Sequence, residues 1–237
     1  MCADEIAGKS GPINRTLYGR RKGKKLRQHQ AELVSDTLPD ISINCSAPIE
    51  LAQLFAAPQS EYRMEIGFGG AEHLVHEATN HPDVGYIGCE PFINGVAKLL
   101  VQIDEKHLNN VRVHHGDARD VLLCLPDTSL SRVDVLYPDP WPKWRQRKRR
   151  FLSEKNIDEI ARVLKLGSVL RFATDIDDYA GWVLARILKS NRWTWQEAES
   201  SSRPWQQAWD QWPGTRYEAK AFREGRKPVY LTFVKVA

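Results

Sequence analysis

The sequence predicts an α/β protein in which a mostly parallel sheet is covered by helices on both faces. Three observations predict this class: strand and helix patterns alternate from residue 62 onward, a glycine-rich turn joins the first strand to the first helix, and acidic residues follow several strands. The 237 residues suffice for one such domain and a short tail. We expect the domain over residues 58–237, after a basic, flexible N-terminal arm and connector over residues 1–57.

The first turn indicates a nucleoside site. Gly67 and Gly69 permit positive φ angles and the close approach of a ligand. Glu90 follows the second strand about 20 residues later, where a carboxylate can bind ribose hydroxyls. Glu65, beside the turn, favours a positively charged ligand over a pyrophosphate, and S-adenosylmethionine is such a ligand.

The remaining elements alternate in the same way. Helices are predicted over residues 71–79, 92–106, 120–124, 153–167 and 179–189, and strands over residues 84–89, 111–114, 132–137, 168–173, 193–198 and 228–236. Three prolines at 138, 140 and 142 exclude a helix and stiffen the loop there. Ligands of parallel sheets bind at the carboxyl ends of strands. Five acids fall at or near those ends: Glu65, Glu90, Asp117, Asp139 and Asp175.

Composition and charge restrict the class of protein further. The chain is 42% hydrophobic and 27% charged, which is typical of a soluble globular protein, and it contains no signal peptide or membrane-spanning run, so we expect a cytoplasmic protein. The four cysteines lack metal-site spacing, so no metal is predicted. Basic residues concentrate at 15–27 and 143–150, which indicates a polyanionic partner, with solvated surface as the alternative. Neither a membrane nor an obligate protein partner is indicated.

Seven segments follow the order in which one enzyme family carries them: Glu65-Ile66-Gly67-Phe68-Gly69, Gly88-Cys89-Glu90, Gly116-Asp117-Ala118, Pro138-Asp139-Pro140-Trp141-Pro142-Lys143, Arg149-Arg150-Phe151, Ala173-Thr174-Asp175 and Thr215-Arg216-Tyr217-Glu218. The Pro-Asp-Pro-Trp segment followed by a basic run is the most specific. On these segments the chain resembles the bacterial tRNA (guanine-N7-)-methyltransferases. It departs from them at Ala71, where the family usually has glycine; we expect the extra methyl group to be tolerated if that position is already helical.

The resemblance implies a Rossmann-like class I methyltransferase fold, with a seven-stranded sheet containing one antiparallel strand. It also implies methyl transfer from S-adenosyl-L-methionine to N7 of a guanine in the variable loop of tRNA. The donor would be bound by Glu65, Gly67, Gly69, Glu90, Asp117 and Asp139. The substrate nucleotide would be bound by Lys143, Asp175, Thr215, Arg216, Tyr217 and Glu218. The RNA backbone would be contacted by Arg145, Arg147, Lys148, Arg149 and Arg150.

The chemistry assigns a specific role to Asp139. Guanine N7 already carries an exposed lone pair and no proton, so its methylation needs no general base. The enzyme must align the donor with N7 and stabilise a positive charge that moves from sulfur onto the purine. Asp139 could also accept hydrogen bonds from guanine N1–H and N2–H₂, which would select guanine over adenine. We therefore expect Asp139 to be catalytic through positioning and electrostatics.

Other interpretations remain open at the sequence level. Glu90 could be an exposed charge at a helix start, Asp117 and Asp175 could cap helices, and Lys143 could be ordinary surface. The tryptophan-rich C-terminal part could stack on bases, although core packing or a lid is the default. The alternative functions are a non-catalytic RNA-binding module and a methyltransferase that acts on another RNA or on a small molecule. Donor binding would argue against the first, and the basic clusters would have no purpose in a small-molecule enzyme.

Overall fold

The computed structural model describes residues 16–196 and 204–237. Its strands are β1 (Glu61–Ile66), β2 (Val84–Cys89), β3 (Val111–His114), β4 (Leu130–Leu136), β5 (Leu164–Thr174), β6 (Trp193–Gln196) and β7 (Val229–Lys235). Its helices are α1 (Gln28–Asp36), α2 (Leu38–Ile41), α3 (Glu72–Asn80), α4 (Ile93–Lys106), α5 (Ala118–Cys124), α6 (Glu154–Val163), α7 (Asp177–Ile187) and α8 (Arg216–Arg223). Short 3-10 turns cover Leu51–Gln53, Trp144–Arg149 and Pro204–Gln206. None of these helices is long and apolar enough to cross a lipid bilayer.

The described strands form one seven-stranded sheet in the order β3-β2-β1-β4-β5-β7-β6. The neighbours from β3 to β5 pair in parallel, whereas β7 is antiparallel to both β5 and β6. The expected single antiparallel strand is therefore confirmed. The chain order reverses between β1 and β4, and the carboxyl ends of strands at such a reversal form the usual ligand crevice of an open α/β sheet.

The sheet is buried on both faces, as predicted. Successive residues of a strand point to opposite faces, and every residue of β2 is buried. Tyr86 packs into a core built with α1, α3 and α4, while Ile87 packs into a second core built with α5, α6 and α7. The continuous apolar run of β2 is thus the sequence signal of a strand covered by helices on both sides.

Most predicted elements are confirmed, with shifts at their ends. α6 begins after Ser153, whose hydroxyl accepts from the Asn156 backbone N–H, as expected of a cap. The prediction that this helix continues to residue 167 is wrong, since it ends at Val163 and β5 begins at once. The register of β4 and β5 shifts after their first pair, and Gly167 has a φ of 76° within the irregular part. Residues 197 and 198, predicted as the end of a strand, lie outside the described residues.

Three helices, α1, α2 and α8, have no counterpart in the predicted set. α8 follows Thr215, and α1 packs on α4 through the buried Leu33. Residues 16–24, which we call the N-terminal strap, run along the start of α4. The strap is fixed by Asn94, which accepts from the Gly23 N–H at 2.8 Å and donates to the Lys24 carbonyl at 2.7 Å. The division between an arm over residues 1–57 and a domain from residue 58 stays a prediction.

Candidate functional site

A cavity of about 600 Å³ opens at the carboxyl ends of β1, β2, β3 and β4, beside the reversal of strand order. This volume lies in the range of ordinary cofactor sites. The strand ends contribute Ile66, Gly67, Gly69, Cys89, Glu90, Gly116, Asp117, Val135, Tyr137, Pro138 and Asp139 to its wall. Three carboxylates, those of Glu90, Asp117 and Asp139, are therefore brought together as the sequence predicted.

The glycine turn and Glu90 are held together by hydrogen bonds. Gly67 and Gly69 have φ angles of 77° and 53°, which glycine adopts without strain. The Gly69 N–H donates to Glu90 Oε2 at 2.7 Å, and the Phe92 N–H donates to Oε1 at 2.9 Å. Burial raises the pKa of Glu90, although these two donors act in the opposite direction. Because Glu90 is buried, the interpretation of it as an exposed helix-start charge is wrong.

Ala71 is not in a right-handed helical conformation, which was the condition under which we expected its methyl group to be tolerated. It precedes α3 with φ 66° and ψ 16°, in the left-handed region rather than the right-handed helical one. The residue is also almost fully buried. The turn thus holds Ala71 in a conformation that favours glycine, and the alanine backbone bears the strain.

Asp117 caps α5, which is one of the two sequence interpretations, and it also lines the cavity; its contact with adenine stays a prediction. Its Oδ1 accepts from the Arg119 backbone N–H at 3.0 Å and so caps α5, which explains why that helix begins two residues earlier than predicted. Both carboxylate oxygens also contact the Arg119 guanidinium. Arg119 in turn donates to the Thr16 carbonyl at 3.3 Å and joins the cap to the N-terminal strap.

Asp139 stands in the cavity wall on the proline-rich loop after β4. The loop turns sharply, with φ angles of 50° at Tyr137 and 42° at Trp141. Asp139 is open to solvent, but partial desolvation in the cavity raises its pKa. Burial is the largest cause that raises the pKa of Glu90, and the negative charge of Asp139 raises it further. The two carboxylates therefore interact electrostatically. The part of the cavity between Glu90 and Asp139 therefore suits a cationic group better than an anionic one.

Glu65 lies beneath the turn rather than in the cavity wall. It alternates along β1 with Met64 and Ile66, which face the core of α5, α6 and α7, so its side chain faces α3 instead. There Oε2 lies 2.7 Å from Nδ1 of the buried His73. Burial raises the pKa of Glu65, and the nearby Glu65 carboxylate keeps the pKa of His73 raised against the effect of burial.

The predicted substrate segment at residues 215–218 places only one side chain in the cavity wall among the residues described. Tyr217 lines the cavity and stacks on Tyr137, with 6.5 Å between ring centroids. Thr215 caps α8, and Arg216 pairs with Glu72 at 2.5 Å. Glu218 is buried.

Glu218 belongs to an aromatic cluster behind the cavity. Its Oε1 accepts from Trp212 Nε1 at 2.9 Å and from the Tyr230 hydroxyl. Trp209 packs edge-to-face on Trp212 and Tyr230. The default interpretation of these tryptophans as packing residues is confirmed.

The basic segment divides into inward and outward side chains. Arg149 lines the cavity, with its guanidinium 4.6 Å from the Tyr18 ring centroid and 4.9 Å from that of Trp141. Arg150 is fully buried, donates to the Pro140 carbonyl at 2.8 Å and pairs with Asp178. Arg147 pairs with the same aspartate at 2.7 Å. The exposed basic side chains of the segment are Lys143, Arg145 and Lys148, of which Lys148 also borders the cavity.

Asp175 follows β5 as predicted, but the interpretation of it as a helix cap is wrong. α7 begins after Ile176 without a side-chain cap. Asp175 Oδ2 instead accepts from Arg226 Nε at 2.6 Å. Neither Asp175 nor Lys143 is among the described residues that line the cavity.

Sequence reasoning missed the N-terminal strap as part of the site. Leu17, Tyr18, Gly19 and Arg20 line the cavity, and a methyl group on Gly19 would stand 3.4 Å from Asp139 Oδ2. The composition of this stretch is typical of a flexible arm, and Tyr18 within it is the one signal that could have indicated packing. In the part of the chain that the structure describes, no three His, Cys, Asp or Glu side chains converge as metal ligands would.

Comparison with known proteins agrees with this site. A family model described as a putative methyltransferase matches residues 59–231. The tRNA (guanine-N(7)-)-methyltransferase of Brucella melitensis biotype 1 is 51% identical over 221 residues, which cover 92% of this chain and 94% of that protein. The protein of the same name from Bartonella quintana is 49% identical over 227 residues, covering 94% of this chain and 97% of that one.

Solved structures support the fold. A 16S rRNA methyltransferase, KamB, superposes with a TM-score of 0.53 at 14% identity, covering 76% of this chain and 89% of that chain. A precorrin-6y C5,15-methyltransferase from Geobacter metallireducens has a TM-score of 0.52 at 17% identity, covering 91% and 92%. The fold is therefore the Rossmann-like methyltransferase fold. With the site and the sequence relatives together, the chain belongs to the tRNA (guanine-N(7)-)-methyltransferase family of enzymes.

Proposed function

We propose that this chain transfers the methyl group of S-adenosyl-L-methionine to N7 of a guanine in the variable loop of tRNA, without a metal. One observation carries the proposal beyond family membership. Glu90, Asp117 and Asp139 line a single cavity at the carboxyl edge of the sheet, and the loop that carries Asp139 leads directly into an exposed basic segment. A cationic donor site and a surface for a polyanion thus lie side by side.

The donor residues are assigned by their positions. Glu90 would accept from the ribose hydroxyls, since its two oxygens offer about four acceptor sites and the backbone uses two of them. Asp117 would contact the adenine end, where it already fixes the start of α5. Gly67 and Gly69 would let the donor approach the backbone, and Glu65 would support the turn from beneath through His73.

The substrate guanine would enter between Asp139 and Tyr217, which border the same cavity. Asp139 would orient the base through its Watson–Crick edge and stabilise the charge that appears on the purine. Lys143, Asp175, Thr215, Arg216 and Glu218 complete the proposed substrate set. Of these, Thr215 and Glu218 act by shaping the segment that presents Tyr217.

The test is an Asp139→Asn variant assayed with labelled donor and unmodified tRNA, followed by nucleoside analysis for 7-methylguanosine. The variant keeps the shape of the side chain but loses its charge, so we expect turnover to fall by about 10²-fold or more, with donor affinity largely retained. Asp127→Asn is the matched control, because that exposed carboxylate lies before β4, at the opposite end of the strand. Turnover of Asp139→Asn near that of the wild type would contradict the assignment.

The same assay separates the rival functions. A wild-type chain that binds donor and tRNA but produces no methylated guanosine would be an RNA-binding module. A chain that methylates a free nucleoside as well as it methylates tRNA would be a small-molecule enzyme. We also expect turnover of the wild type to fall on the acid side at a higher pH than an ordinary aspartate would give, since Asp139 must ionise and partial desolvation raises its pKa.

A further inference from the structure

Trp144 is the most exposed large hydrophobic side chain in residues 16–196 and 204–237, with 77% of its surface accessible. It opens the 3-10 turn Trp144–Arg149, directly after the loop that carries Asp139. Isolated exposed apolar residues are common on proteins, so exposure alone says little. The residues around the Trp144 indole distinguish it from an isolated exposed apolar residue.

The 3-10 geometry sorts the turn into rows, because side chains three residues apart eclipse each other. Trp144 and Arg147 form one row, and the Arg147 guanidinium lies 5.3 Å from the indole ring centroid. Arg145 and Lys148 form a second row, which is exposed. Arg149 belongs to the third row and faces the cavity. The indole is thus flanked by cations on a surface that adjoins the candidate site.

The base of the turn is anchored, so the indole has a defined place. Arg147 is fixed by its 2.7 Å pair with Asp178, and the buried Arg150 holds the same carboxylate and the Pro140 carbonyl. Trp144 packs on this fixed guanidinium rather than into the core. An exposed aromatic ring beside a row of exposed positive charges is the arrangement that single-stranded nucleic acid sites use.

We propose that Trp144 stacks on an unpaired base of the tRNA close to the guanine that is methylated. The proposal rests on the proposed function and adds a contact to it. Lys143, Arg145 and Lys148 bind the flanking phosphates, while the indole binds the face of the base and needs no particular base identity. The Arg147 cation behind the ring keeps it in position for stacking.

The test compares Trp144→Phe, Trp144→Leu and wild type in tRNA binding at several salt concentrations. Leucine keeps apolar bulk without an aromatic face, so we expect its dissociation constant to rise about tenfold, the order expected for one lost base stack, while phenylalanine retains most of the affinity. The slope of log K against log salt should not change, because no phosphate contact is lost. Leu166→Ala, which removes another exposed apolar side chain near the start of β5, is the control and should bind as the wild type does.

A blunt RNA duplex supplies phosphates without unpaired bases. The leucine variant should bind it as well as the wild type does; an equal loss on duplex and tRNA, or no loss on tRNA, overturns the stacking contact. Methylation by the wild type reports on the proposed function separately. If the wild type methylates tRNA and the leucine variant binds it unchanged, the inference fails while the function stands.

Discussion

Ala71 shows how much one backbone angle matters in this site. The residue closes the turn between β1 and α3 with a φ of 66°, and its methyl group is buried in the core of α3 and α4. The left-handed conformation costs a non-glycine residue about 1–2 kcal/mol. Sequence pattern placed the residue near a helix start correctly, but it could not show the sign of φ, which the packing of the turn imposes.

We therefore predict that Ala71→Gly changes the free energy of unfolding by less than about 1 kcal/mol. The relief of strain offsets the lost methyl contact and the extra freedom of the unfolded chain. Ala78→Gly is the matched control, since Ala78 is equally buried in the same core but lies inside α3. It should destabilise by about 2 kcal/mol. Urea denaturation measures both, and equal losses would contradict the argument.

At the scale of elements, α3 is tied to the sheet by buried charges. Glu77 on α3 accepts from Arg63 on β1 at 3.1 Å and from Arg132 on β4, while Arg132 also pairs with Asp134 at 2.8 Å. Burial alone would raise the pKa of Glu77, but Arg132 and its neighbours lower it to about 2. The network links α3 to the sheet and thereby supports the glycine turn that borders the cavity.

A carboxylate whose pKa is lowered on folding stabilises the protein at pH values above its unfolded pKa, which is near 4.5. This stabilisation is lost as the pH falls towards the folded pKa of about 2. We predict that Glu77→Gln is about 3 kcal/mol less stable than wild type at pH 7, and that the difference shrinks below about 1 kcal/mol near pH 2. Asp158→Asn, which removes an exposed ion pair with Arg192, should cost less than about 1 kcal/mol at any pH. A difference between wild type and Glu77→Gln that does not vary with pH would refute the linkage.

The elements themselves were largely predictable, and the exceptions have physical causes. β2, β3 and α4 are given by apolar periodicity, which reflects how each side chain is buried. α8 was missed because only one face of it packs, through Ala221 and Glu218, and a buried glutamate does not stand out as an apolar position. The strap was missed because its contacts with Asn94 and Arg149 join residues far apart in sequence.

At the scale of the whole molecule, the basic clusters of the sequence indicated a polyanionic partner, and the structure divides those basic residues into paired and exposed side chains. Tertiary contacts engage Arg147 and Arg150 with Asp178, and rings enclose Arg149. Arg145 and Lys148 remain exposed, and Lys148 borders the cavity. The strap and its continuation carry six more exposed basic residues, of which the first lines the cavity: Arg20, Arg21, Lys22, Lys24, Lys25 and Arg27.

The division between structural and exposed cations gives the last prediction. We expect Arg145→Gln/Lys148→Gln to lower the slope of log K against log salt for tRNA binding by about 1.5, because each lost phosphate contact removes roughly 0.7–0.9. Its free energy of unfolding should stay within about 0.5 kcal/mol of wild type, since both side chains are exposed.

Arg150→Gln should behave in the opposite way. The fully buried guanidinium lies 4.7 Å and 5.0 Å from the ring centroids of Tyr179 and Trp182, so its loss should destabilise the fold by roughly 3 kcal/mol. The salt dependence of tRNA binding should be unchanged at temperatures where the variant is folded. Thermal unfolding and binding at three salt concentrations separate the two variants. The contrary result is an Arg150→Gln variant that flattens the salt dependence and remains as stable as wild type. That result would mean that Arg150 leaves its pocket to bind RNA. The ion pairs with Asp178 would then not be what positions the basic segment beside the cavity.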